Sequence, residues 1–146
     1  MASAVCLVQG ASRGIGLGFC RTLLARSPGI SVIATCRSPS SAPALQALQE
    51  QHPQQLTVLQ VDITNTEQIK QASSVVSEKF GHVDLLINSA GMLHPKGRGE
   101  TSLKDVSAEV IDSSFVLAVT ISWSFLDLSS VGWVTKSKVK FVTALT

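Results

Sequence analysis

The 146-residue sequence contains no tyrosine. No phenol is therefore available anywhere in it as a proton donor. A strong charge balance is also missing: the net charge is only +2. Binding to a nucleic-acid backbone needs a clustered basic face. The one cationic cluster, Lys136, Lys138 and Lys140, sits at the tail and reads as a solvated, frayed terminus. Cys6, Cys20 and Cys36 are odd in number and far apart, no C-x-x-C occurs, and His52, His82 and His94 are scattered. That pattern argues for free thiols in a reducing compartment and against a metal site. The start, MASAVCLVQG, lacks the basic flank and long apolar run of a signal peptide, so the cytosol is the expected location. No G-K-[ST] occurs, which rules out a P-loop. Internal repeats and long linkers are absent as well.

What is present is an oily composition, 45% apolar and 15% charged, long enough for one domain with a core. The first ninety residues alternate two periodicities. Ala4–Gln9, Ile30–Thr35, Leu56–Val61 and Val83–Ile87 are short, nearly continuous apolar runs that read as buried strands. Between them, Ile15–Ala25 carries Ile15, Phe19, Leu23 and Leu24 at helical spacing. Pro43–Gln51 opens with proline and places Ala44, Leu45 and Leu48 on one face. The run TNTE predicts a capping box, with Thr64 as cap and Glu67 reaching back, ahead of a helix that buries Ile69, Ala72, Val76 and Phe80. Strand–helix alternation with apolar strands predicts an α/β fold. Its expected form is a doubly wound, Rossmann-type parallel sheet with right-handed crossovers.

Three glycines, Gly10, Gly14 and Gly16, lie between the first strand and its helix. Gly10 suits the turn off the strand, Gly14 a close backbone approach to a pyrophosphate, and Gly16 tight helix–sheet packing. Backbone N–H groups around Gly14 and Ile15 would face the anion, aided by the helix dipole. An ordinary tight strand–helix turn is the alternative reading.

The run GASRGIG, from Gly10 to Gly16, resembles the glycine loop of the short-chain dehydrogenase/reductase family. Two further runs extend the resemblance over about Ala4 to Val106. VDIT, with Asp62 and Ile63, is similar to the family's acidic strand end beside the adenine. NSAG, from Asn88 to Gly91, is similar to its N-N-A-G. Within the family the chain resembles the small carbonyl-reductase-like members of the C-factor and sniffer type, and the run ATCR supports this. The resemblance implies a nicotinamide dinucleotide held by Gly10, Ser12, Arg13, Gly14, Ile15, Gly16, Arg37, Asp62, Ile63, Asn88, Ala90 and Gly91. Asp62 could instead be a plain turn carboxylate, and Asn88 a bridge between strands.

An NAD site carries a carboxylate at the end of the second strand. Here Cys36 and Arg37 stand there, and no acid follows until Glu50. A guanidinium attracts a 2′-phosphate and binds it bidentately. Arg13 and Arg37 therefore point to NADP over NAD, unless both are merely solvated surface arginines.

In this family a tyrosine, a lysine four residues later, an upstream serine and an asparagine on the preceding helix support hydride transfer between a carbonyl and an alcohol. Such chemistry needs a proton shuttle near neutral pH. The tyrosine is missing, and no asparagine follows Asn88. If FLDLSSVG (Phe125–Gly132) were the fifth strand, Ser130 would be the serine, Thr143 would stand at the tyrosine position, and the lysine would fall beyond Thr146. Trp133 and Lys136 are one residue short of the Y-x-x-x-K spacing, and an indole is no general acid. No catalytic residue is assigned.

The expected organisation is a Rossmann half over 1–107 and a divergent apolar tail over 108–146, as in a truncated or alternatively spliced form. Phe115–Val134 has one charge, Asp127, but its serines and Gly132 make it a poor membrane span. A sheet ending near strand four leaves an edge exposed. The tail could patch that edge, or a homo- or hetero-oligomer could form through it. The expectation is thus an NADP-dependent reductase by family, inactive alone. The alternative is a non-catalytic fragment that binds NADP(H) or a partner. A small carbonyl or alcohol substrate is expected only of a full-length relative.

Overall fold

The computed structural model describes residues 4–90 and 140–143. Its elements run β1 (Ala4–Gln9), α1 (Gly14–Arg26), β2 (Ile30–Cys36), a 3-10 turn (Pro39–Ser41), α2 (Pro43–Gln51), β3 (Leu56–Gln60), α3 (Thr66–Phe80), β4 (Leu85–Asn88) and β5 (Lys140–Thr143). The described strands form one sheet in the order β3-β2-β1-β4-β5, and every pairing is parallel. This is the doubly wound arrangement predicted from the alternation. The order reverses between β1 and β4, and ligands of open α/β sheets bind at such a reversal, outside the carboxyl ends of the strands.

The strands are apolar on both faces because helices cover both. On one side α1 and α2 bury Leu17, Cys20, Leu24, Leu45 and Leu48 against Val8, Val32, Ala34 and Ile87. On the other, Ile69, Ala72 and Val76 of α3 pack on Val5, Leu7, Ile33 and Leu86. Each fully buried aliphatic side chain contributes about 2 kcal/mol relative to exposure. The start of β4 is tied to β1 at two points. Asp84 N donates to Val5 O at 2.8 Å, and the Asp84 carboxylate accepts from Val5 N at 2.8 Å.

Several local expectations are corrected. The buried face of α1 is Gly16, Leu17, Cys20 and Leu24. Ile15 is 48% exposed, while Phe19 and Leu23 are only partly buried. Gly16, not a large side chain, sits against the Gly10–Ala11 turn and sets which face of the helix is buried. Ala44 is exposed, and Leu45 and Leu48 carry the α2 contact. Phe80 flanks the α3 core without being fully buried. Thr64 is not the α3 cap: its hydroxyl donates to Asp62 Oδ1 at 2.7 Å. Asn65 caps instead, accepting from Glu67 N and Gln68 N at 3.1 and 3.2 Å.

The place beside β4 is taken by Lys140–Thr143. Phe, Val and Thr are strand formers, and Lys140 begins a strand where the sequence suggested a frayed end. The segment Phe125–Gly132, with Ser130, and the tail from 108 to 139 lie outside the described residues, as does Gly91. Among the described residues, no helix is long and apolar enough to cross a membrane.

Candidate dinucleotide site

The carboxyl ends of β1, β2, β3 and β4 bring the predicted site residues to one edge of the sheet. The turn leaving β1 is held by β2, since Gly10 N and Ala11 N both donate to Thr35 O, at 3.1 and 3.0 Å. Gly10 has φ +73°, and a Cβ there would lie 2.7 Å from Ser89 O and 2.8 Å from Ala90 Cα. The turns after β1 and β4 thus interlock, and only glycine permits both the conformation and the approach. Gly16 serves packing: its Cβ would collide with the Gly10 carbonyl oxygen and lie 3.2 Å from Ala11 Cα. Gly14 differs from both, because among the described residues a Cβ there would meet nothing within 4 Å.

The first bond inside α1 runs from Leu17 N to Arg13 O. The N–H groups of Gly14, Ile15 and Gly16 therefore have no partner within the helix. The first turn carries no acidic residue, so the positive end of the helix dipole is not neutralised there. Ser12 is half-buried and Arg13 is exposed. This arrangement can receive an anion.

Arg37 is exposed just past β2. Cys36, where a ribose-binding acid would stand, is buried, and burial pushes its thiol pKa up. Burial likewise pushes the Cys20 thiol up to about 12, and all three cysteines are free. Val61 N donates to Cys36 O at 2.9 Å, which sets the β3 end beside the β2 end. There the Asp62 carboxylate is drawn below its ordinary pKa, first by the Thr64 hydroxyl, then by the Thr64 backbone N–H, and also by the Arg37 guanidinium. Asp62 Oδ1 is engaged by its own turn, so the turn-carboxylate reading describes that oxygen. Ile63 packs against the α3-side core.

At the end of β4, Asn88 is buried, and its Oδ1 accepts from Ala90 N at 3.3 Å. By register it stands between Gln9 and Thr143. The fold therefore gathers Gly10, Ser12, Arg13, Gly14, Ile15 and Gly16 with Asn88 and Ala90 at the reversal point. It gathers Arg37 with Asp62 and Ile63 at the β2–β3 ends. The residues present fit a dinucleotide. They offer a bare backbone turn, a helix N-terminus, two exposed guanidinium groups and no carboxylate at the end of β2.

Sequence reasoning missed Asn65, Gln68 and Gln9. Gln68 Oε1 accepts from Asp62 N at 2.7 Å and so braces the β3 turn. The residue following a threonine that already serves an aspartate was the available signal for Asn65. No sequence signal marked Gln9 or Gln68.

A family model described as short chain dehydrogenase matches residues 4–134. The chain is 36% identical over 91 residues to the human 3-keto-steroid reductase/17-beta-hydroxysteroid dehydrogenase 7, covering 61% of this chain and 27% of that protein. Among solved structures, the NADPH-bound carbonyl reductase from chicken fatty liver superposes with a TM-score of 0.72 at 31% identity, over 87% of this chain and 50% of that one. The carbonyl reductase Sniffer of D. melanogaster superposes with a TM-score of 0.70 over 88% of this chain and 50% of its own; at 20% identity it shows the fold alone. The chain thus spans half or less of the length of these relatives.

Proposed function

The chain belongs to the short chain dehydrogenase family, and from that premise we propose that it binds NADP(H) in preference to NAD(H) without catalysing hydride transfer on its own. The observation that carries the cofactor choice is the β2 end. Arg37 is exposed there beside a buried Cys36, and the β2 end itself carries no carboxylate to hydrogen-bond the ribose. Arg13, at the head of α1, closes on the same phosphate. The N–H groups of Gly14 and Ile15 take the pyrophosphate, and Asp62 and Ile63 border the adenine. Asn88 and Ala90 form the wall near the nicotinamide. The NADPH-bound state of the chicken carbonyl reductase supports the same reading.

When bound, the cofactor supplies the hydride. The carbonyl oxygen must take up a proton as the hydride arrives, and no tyrosine is present to donate it. Turnover on a carbonyl or alcohol belongs to relatives of the family that carry such a donor. β5 ends the order of described strands, and such a relative, or a second copy, would pair there.

The test is fluorescence titration of the purified chain with NADPH, followed by a carbonyl-reduction assay on the same material. Saturable binding without NADPH oxidation is expected. No binding at millimolar cofactor contradicts the proposal, and turnover contradicts its second half.

A further inference from the structure

Among the described residues the buried polar side chains are Gln9, Thr35, Asn88 and Ser89, and all lie at the carboxyl ends of the three central strands. Gln9 pairs in register with Thr35 on one side and Asn88 on the other. Strand alternation puts Gln9 on the side of Leu7, Thr35 on the side of Ile33 and Asn88 on the side of Leu86. Those three apolar residues share the α3-side core. Gln9, Thr35 and Asn88 thus form one rung across the sheet, at the place where strand order reverses.

Gln9 is 1% exposed, and neither Nε2 nor Oε1 of its carboxamide has a hydrogen-bond partner among the described residues. A buried amide left unpaired is costly, and a valine or leucine would fill the position without that cost. The backbone around Gln9 is well tied. Ser89 N donates to Gln9 O at 3.1 Å, and the next residue, Gly10, packs directly beneath Ser89 and Ala90. The turn above, by contrast, is closed by the long 3.3 Å bond from Ala90 N to Asn88 Oδ1. An unused donor–acceptor group therefore stands in register with Asn88, whose carboxamide closes the turn that walls the crevice.

We propose that Gln9 is a positioning residue of the dinucleotide site. When a dinucleotide occupies the crevice, the Asn88–Ser89–Ala90 turn settles onto the Gln9 carboxamide, which then holds that wall in place. This rests on the NADP(H) reading above. The protein gives up some stability when empty for a wall that forms fully only when loaded.

The experiment compares the full chain with Gln9→Met, an apolar change of similar size. A merely structural glutamine predicts lower thermal stability of the free protein and unchanged affinity. The proposal predicts the reverse: an unchanged or higher Tm for free Gln9→Met, and NADPH binding weakened about tenfold, the scale of losing one or two hydrogen bonds. A second readout needs no variant. Hydrogen exchange of the Gln9 side-chain amide in the wild-type protein, followed by NMR, should slow on NADPH saturation. Wild-type affinity in Gln9→Met, a lower Tm for the free variant, or no slowing of exchange would overturn the proposal. If the wild-type chain itself does not bind NADPH, the functional reading fails and Gln9's role fails with it. If the wild type binds and Gln9→Met binds equally, only the role of Gln9 falls.

Discussion

Gly16 and Gly18 lie two residues apart in α1, and replacing each with alanine separates packing from backbone propensity. Alanine is favoured over glycine inside a helix by about 1 kcal/mol. Among the described residues a Cβ on Gly18 would meet nothing within 4 Å, so Gly18→Ala should gain close to that full amount. A Cβ on Gly16 would collide with the Gly10 carbonyl oxygen, lie 2.8 Å from Gly10 C and 3.2 Å from Ala11 Cα. All three are backbone atoms, and the Gly10–Ala11 turn is pinned to Thr35 O, so none can swing aside. Overpacking of this kind costs typically 1–3 kcal/mol, and an immovable neighbour puts Gly16 at the upper end. Set against the propensity gain, Gly16→Ala should lose about 2 kcal/mol net. The two variants should then differ by about 3 kcal/mol. Urea unfolding followed by far-UV circular dichroism reads both. Gly16→Ala should also weaken NADPH binding, because the turn it displaces is the proposed cradle. A Gly16→Ala protein as stable as Gly18→Ala would refute the close approach of α1 to the β1 turn.

Two further outcomes follow from the α3 entry and the β3 turn. Asn65→Ala removes the cap that accepts from Glu67 N and Gln68 N and should destabilise by about 1 kcal/mol, whereas Thr64→Val should instead loosen Asp62; urea midpoints distinguish the two. The Asp62 carboxylate has its pKa lowered in the folded state by Thr64 and Arg37. Its contribution is therefore fully present above the unfolded-state value of about 4 and is lost as pH falls through the lower folded-state value. The stability advantage of wild type over Asp62→Asn should hold at neutral pH and shrink in that acid window, and a constant difference down to pH 2 would contradict it.

Much of the frame was legible because strand and helix periodicities differ so clearly in the first ninety residues. β1 was placed to the residue, and α2 as well, since Pro43 fixes its first turn. The glycine loop was legible because spacing and position between strand and helix coincide. What escaped was set by tertiary contact. The face of α1 turns on where Gly16 can approach, a property of the Gly10 carbonyl rather than of the helix sequence. The α3 cap shifted by one residue because the Thr64 hydroxyl was already committed to Asp62. β5 is Lys140–Thr143, and four residues carry too little pattern to be read as a strand. Gln9 looked like the last residue of an apolar strand, and its isolation is visible only when its neighbours are in place.

The central claim is a dinucleotide crevice whose β2 end reads a 2′-phosphate through Arg37. Its most direct test is the ratio of NADPH to NADH dissociation constants for the wild-type chain and for Arg37→Asp, measured by calorimetry at fixed ionic strength. The account predicts a wild-type preference for NADPH that collapses or inverts in Arg37→Asp, with NADH affinity kept or improved. Equal affinities in the wild type, or a preference untouched by the substitution, would contradict it.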